Sequence, residues 1–119
     1  MKKRKKDAVK FEDYAYSYVR RNFQLSLGWN IEQERTLKDG TRVDYSLSRV
    51  KYGKKERAVV EVKNVNSLTR YHIDQLDHYS RKYHATYRLV LVPSKTNVEE
   101  SVKEYADDLS IEIVRLRYP

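Results

Sequence analysis

The 119-residue chain contains no cysteine. Disulfides, thiolate zinc sites, iron–sulfur clusters and cysteine nucleophiles are thereby excluded. Glycine occurs three times and proline twice. No phosphate-binding glycine loop, dinucleotide fingerprint or Gly-x-Ser-x-Gly elbow appears. No apolar run approaches the length needed to span a bilayer, and the basic N-terminus lacks the apolar region of a secretory signal. An intracellular, cytoplasmic protein with no membrane partner is expected. His72, His78 and His84 are spaced by six, so they share no helical face and lack the spacing of a helical zinc site. They read as surface or helix-end residues.

Positive charge is what the chain has in excess. Lys and Arg number 25 against 17 Asp and Glu, a formal charge of +8. That balance in a small domain points to a polyanionic partner, most often nucleic acid, DNA or RNA. A merely charged surface with a basic tail is the competing reading. Charged residues make up 35% and hydrophobic ones 39%, yet the apolar positions are periodic, which argues for a packed core. Residues 1–6 read as a flexible basic arm and residues 7–119 as one domain. Most of the eleven tyrosines, Tyr14, Tyr16 and Tyr18 among them, are read as core or rim residues rather than a base-stacking platform.

The pattern predicts a first helix over residues 7–27, with Asp7 as N-cap and Gly28 as the stop. Its stripe is Ala8, Glu12, Ala15, Val19 and Phe23. Strands are expected over 29–37, 41–50 and 57–64, the first two joined by the hairpin signal Asp39-Gly40 and the second pair by a turn at Gly53. Asn66 or Ser67 is expected to cap a second helix to about Tyr83. Tyr87–Val92 reads as a strand covered on both faces. Thr96-x-x-Glu99 reads as a capping box for a third helix striped by Val98, Val102, Tyr105 and Leu109, and Ile111–Leu116 as a last strand. Helix, three strands, helix, strand, helix, strand implies an α/β (α+β) fold, a mixed sheet flanked by helices.

Two of these strands carry the chemistry. Glu61 and Lys63 are two residues apart on one strand and so share a face. If the strands pair as a hairpin, Asp44 lies on that face too. Two carboxylates and an ammonium on one patch suit a divalent cation and a phosphoryl-transfer transition state. Asp44 and Glu61 are the candidate hard ligands for Mg²⁺ or Mn²⁺, with the backbone carbonyl of Val62 as a further one. Lys63 is placed to orient or deprotonate water, or to stabilise developing charge. Glu12, inside an apolar stripe, is costly unless paired or metal-bound. Lys51, Lys54, Lys55, Arg57, Arg70, Arg81 and Lys82 flank these positions in sequence and are candidate phosphate contacts.

Asp44 followed by Glu61-Val62-Lys63 resembles the PD-(D/E)xK nuclease superfamily, whose restriction-endonuclease-like core has the same element order over residues 8–92. Val43 stands where the family name has proline. The resemblance implies a Mg²⁺-dependent nuclease hydrolysing DNA phosphodiester bonds, with Glu12 as a third acidic ligand; a rim glutamate paired with Lys or Arg is the alternative. Gln75 and Tyr79 lie one helical turn apart and resemble the Gln-x-x-x-Tyr motif of RecB-like nucleases. That likeness implies Gln75 at the active site and Tyr79 at the nucleic acid; an amphipathic helix whose Tyr79 and Leu76 simply pack is the alternative. Length and the early glutamate are similar to archaeal Holliday-junction resolvases, which implies a homodimer and an endonuclease acting on structured DNA. The Gly-Ser-rich segment those enzymes often carry is not visible here. The alternative is a non-catalytic nucleic-acid-binding module on the same fold; a scaffold domain with incidental charge is a third reading.

Overall fold

Alternating burial along the central strands dictates a three-layer arrangement. Ala58 and Val60 turn to one face of the sheet and Val59 to the other, and all three are fully buried. The computed structural model describes residues 2–36 and 42–117, with residues 2–10, 35, 36, 42 and 43 described by their backbone alone. The elements are α1 (Lys2–Asn22), a 3₁₀ turn (Leu25–Leu27), β1 (Asn30–Thr36), β2 (Arg42–Lys51), β3 (Lys54–Val62), β4 (Ser67–Leu68), α2 (Arg70–Tyr83), β5 (Tyr87–Pro93), β6 (Asn97–Val98), α3 (Glu100–Asp108) and β7 (Glu112–Leu116). The main sheet has the order β1-β2-β3-β5-β7. β1, β2 and β3 run antiparallel; β3, β5 and β7 run parallel. The fold is a mixed five-stranded sheet flanked by helices, as the element order implied.

Phe11, Ala15 and Val19 of α1 and Phe23 just past its end repeat every four residues and are buried. The last three pack on Tyr45, Leu47, Ala58, Val60, Leu89 and Leu91. On the opposite face, Ile73 and Leu76 of α2 and Val102 and Ala106 of α3 close over Val59, Val90 and Val92. Each fully buried Val or Leu contributes about 1.5–3 kcal/mol, so these two clusters fix which face every strand residue takes.

Several boundaries differ from the sequence expectation. Residues 2–6, expected as a flexible arm, are helical, and α1 ends at Asn22. Lys and Arg are good helix formers and nothing before Asn22 breaks the run. Gly28, at φ 90°, closes the 3₁₀ turn instead of α1. Thr69 caps α2, its backbone N–H donating to Nδ1 of His72 at 3.0 Å. Thr96 opens no helix: its hydroxyl donates to the Val65 carbonyl at 2.6 Å. Buried Thr96 thereby anchors the small parallel pair β4–β6, and α3 begins only at Glu100. The Asp39-Gly40 signal lies outside the described residues.

Candidate metal and nuclease site

β2 and β3 pair from Lys51↔Lys54 back to Tyr45↔Val60. One step further Asp44 falls opposite Glu61, and alternation puts both, with Lys63, on the α2 face. The Asp44 carboxylate then takes over from the ladder: the Val62 N–H donates to its Oδ2 at 2.7 Å. Lys63 returns to the ladder on the other side, its N–H donating to the Leu91 carbonyl at 2.9 Å. The sheet therefore opens at the carboxyl end of β3, where a β-α-β unit leaves a crevice.

Glu61 is 3% exposed, and its Oε1 has no hydrogen-bond partner. Burial above all, then the hydrogen bond and negative charge of Asp44, push its carboxyl up to about 9, against a smaller pull downward from Lys63. Two hard carboxylates side by side, one with an orphaned buried oxygen, fit Mg²⁺ or Mn²⁺. Among the described residues no three His, Asp or Glu side chains converge on one point. Mg²⁺ commonly takes one or two carboxylates and fills its remaining positions with water and substrate, so the pair suffices for it.

A cavity of about 130 Å³ beside Asp44 is lined by Glu12, Gln33, Glu34, Asp44, Tyr45 and Val62. Glu12 is exposed at the border of the α1 stripe rather than within it. Glu34 sits between the pairs Gln33↔Tyr45 and Arg35↔Val43, across from Asp44. It holds φ 50°, a conformation that non-glycine residues seldom adopt. Sequence reasoning missed Glu34, because a lone strand carboxylate carries no motif. Tyr45 is pushed up to about 12, first by burial and then by Asp44, Tyr16, Glu12 and Glu34, so its phenol stays a neutral donor.

Helix α2 presents Tyr79 to the carboxylates. Its phenol is raised by burial, then by Glu61, Tyr71 and Asp44. Gln75, one turn earlier, donates from Nε2 to the Tyr71 hydroxyl at 3.1 Å. His72 is lowered by burial and then by the Lys63 ammonium, which places Lys63 toward the start of α2.

The expected phosphate contacts do not gather here. Lys51, Lys54 and Lys55 lie toward the turn of the β2–β3 hairpin, roughly 20 Å from Asp44 at about 3.3 Å per residue, and Arg57, opposite Ser48, lies about 13 Å away. Neighbours in sequence are separated in space because a turn is as far from the strand ends as the strand is long. Arg57 donates to the Tyr83 carbonyl at 3.4 Å and stacks over that ring. Arg81 pairs with Asp77 at 3.0 Å near the far end of α2, where exposed Lys82 also lies. Arg70 begins α2 at the carboxylate end, its guanidinium 4.0 Å from the Tyr105 ring centroid. Of that set, Tyr79 alone faces Asp44 and Glu61.

No protein-family model matches the sequence, and no curated protein matches it. Solved structures do resemble it. A repair endonuclease from Pyrococcus abyssi superposes with a TM-score of 0.61 at 20% identity, covering 91% of this chain and 47% of that one. A protein of unknown function, AF1548, superposes with a TM-score of 0.57 at 19% identity, covering 81% of this chain and 53% of that one. The chain spans about half the length of each. At these identities the likeness is one of fold. Among the described residues no helix is long and apolar enough to cross a membrane.

Proposed function

We propose that the protein is a metal-dependent nuclease that hydrolyses DNA phosphodiester bonds. The observation that carries this reading is the buried Glu61 carboxyl, with an orphaned oxygen, beside Asp44 at the opened end of β2 and β3. Asp44 and Glu61 would hold the cation, with the Val62 carbonyl and Glu12 as further donors on the same crevice. A bound Mg²⁺ supplies charge neutralisation at phosphate oxygens and acidifies water. Asp44 is held in one orientation by the Val62 N–H, so its ligand geometry is set before anything binds. Lys63 offers an ammonium on the same face for charge that develops on the phosphate. Tyr79 faces the carboxylates from α2, and Gln75 one turn earlier would join it in holding a phosphate oxygen or the lysine.

The repair endonuclease of similar fold supports DNA as the substrate. Cutting both strands of a duplex or a junction with one such site per chain calls for a homodimer. A second reading, a non-catalytic nucleic-acid-binding module on the same fold, draws on the formal charge of +8. Incubation with plasmid, branched and single-stranded DNA in Mg²⁺ or Mn²⁺ separates the two. Cutting that is abolished by EDTA and by Asp44→Ala, with binding retained, supports the enzyme. Salt-sensitive binding without cleavage under either metal supports the module.

A further inference from the structure

The β2–β3 turn has a residue that its geometry does not favour. Tyr52 and Gly53 are the two central residues, and both have positive φ, 52° and 75°. That is the mark of a type I′ hairpin, which prefers Asn-Gly or Gly-Gly. A tyrosine there is strained. Packing does not compensate, because Tyr52 is 93% exposed. Nothing lies within 4 Å of where a Cβ on Gly53 would stand, so the tip projects clear of the fold. Its base is rigid. The Arg49 Nε donates to Glu56 at 2.9 Å, Glu56 accepts the Tyr87 hydroxyl at 2.8 Å, and Arg49 lies 4.6 Å from the Trp29 ring centroid.

Charge surrounds the ring. Lys51, Lys54 and Lys55 are all exposed, and no acidic residue occurs from Arg49 to Lys55. Glu56, the next carboxylate along, is already engaged by Arg49 and Tyr87. The Lys51 Nζ stands 5.7 Å from the Tyr52 ring centroid. An exposed aromatic ring among free ammonium groups can stack on a base while the lysines take its phosphates.

We propose that the tip of the β2–β3 hairpin binds single-stranded nucleic acid, Tyr52 stacking on an unpaired base and Lys51, Lys54 and Lys55 holding the flanking phosphates. The contact lies about 26 Å along β2 from Asp44, at about 3.3 Å per residue. That span is about eight base pairs of duplex at 3.4 Å each. A strand gripped at the tip would extend toward the carboxylates, and unpaired regions would be favoured over continuous duplex. The inference rests on the nuclease reading only in taking nucleic acid as the partner.

The test is fluorescence anisotropy in EDTA, so that cleavage plays no part. Two 5′-labelled 20-mers of equal charge are compared, oligo(dT) and an abasic strand. The full protein is expected to prefer oligo(dT) by about tenfold, the range of one stacked base. Tyr52→Asn, which suits the turn, removes that preference and leaves abasic affinity unchanged, whereas Tyr52→Trp keeps it. Lys54→Gln with Lys55→Gln weakens both strands alike. Tyr52→Gly, also compatible with positive φ, is the second variant, with melting curves confirming the fold. Equal affinity of the wild type for the two strands overturns the proposal, as does an Asn variant that retains the preference. So does an unchanged oligo(dT) affinity with altered self-association, which would assign the tip to a protein contact. A protein that passes this test yet cuts no DNA in Mg²⁺ refutes the nuclease reading alone.

Discussion

The Asp44 Oδ2 accepts the Val62 backbone N–H at 2.7 Å, so a side chain stands where the ladder would place a carbonyl. One bond thus joins the end of β2 to the residue between Glu61 and Lys63. It also fixes the Asp44 carboxylate relative to the Glu61 carboxyl.

Asp44→Ala removes the acceptor and leaves the Val62 N–H without it. We expect a loss of about 1–2 kcal/mol in urea unfolding, the cost of such a group, together with loss of cleavage. Asp44→Asn keeps an oxygen for the N–H and should keep stability while still abolishing metal-dependent cutting. Equal destabilisation by both substitutions would contradict this role.

Glu61 makes stability depend on pH. Its carboxyl is raised from 4.5 to about 9 in the folded chain. Between those values the folded state binds more protons than the unfolded one, so the contribution is complete below about 4.5 and is lost as pH rises toward 9. The melting temperature of metal-free protein should fall from pH 5.5 to 8.5 more steeply than that of Glu61→Gln. At pH 8.5 the Gln variant is expected to be the more stable, by about 1–3 kcal/mol, the scale of a buried group left unsatisfied. Millimolar Mg²⁺ should raise the wild-type melting temperature and leave that of the variant unchanged. Parallel pH profiles would refute the assignment.

Lys63 is partly exposed, so its removal should cost little structurally. Lys63→Ala is expected to lower the cleavage rate by at least about 100-fold, the scale of a lost electrostatic stabiliser, with the melting temperature nearly unchanged. Wild-type rates from this variant would remove Lys63 from the site.

Arg49 tests whether hairpin and site are separate. It pairs with Glu56 and covers Trp29, several residues along β2 from Asp44. Arg49→Ala should lower the melting temperature, since it strips a hydrogen-bond partner from Glu56 and uncovers the Trp29 ring. The metal dependence of cleavage should not move. A changed Mg²⁺ requirement would show that the two ends are coupled.

Asp44, Glu61 and Lys63 were legible because a strand period of two decides face without further information. The element order was legible from periodicity and from Gly53 and Pro93. Local chemistry misled where tertiary bonds outbid it. Thr96 had the pattern of a helix cap, but the Val65 carbonyl took its hydroxyl. Residues 2–6 were read as an arm, and their backbone is continuous with α1. Glu34 was invisible because only strand pairing brings it across from Asp44. Sequence proximity could not show that the hairpin lysines stand at the turn, a strand's length from Asp44. Tyr52 passed as one rim tyrosine among many, because its positive φ cannot be read from composition.

The most direct test is a crystal of the protein soaked in Mn²⁺ and measured at the manganese absorption edge. We expect one anomalous peak about 2.1–2.2 Å from carboxylate oxygens of both Asp44 and Glu61, absent from Glu61→Gln. No peak at that pair, or an undiminished peak in the variant, would contradict the claim that these two side chains form a cation site.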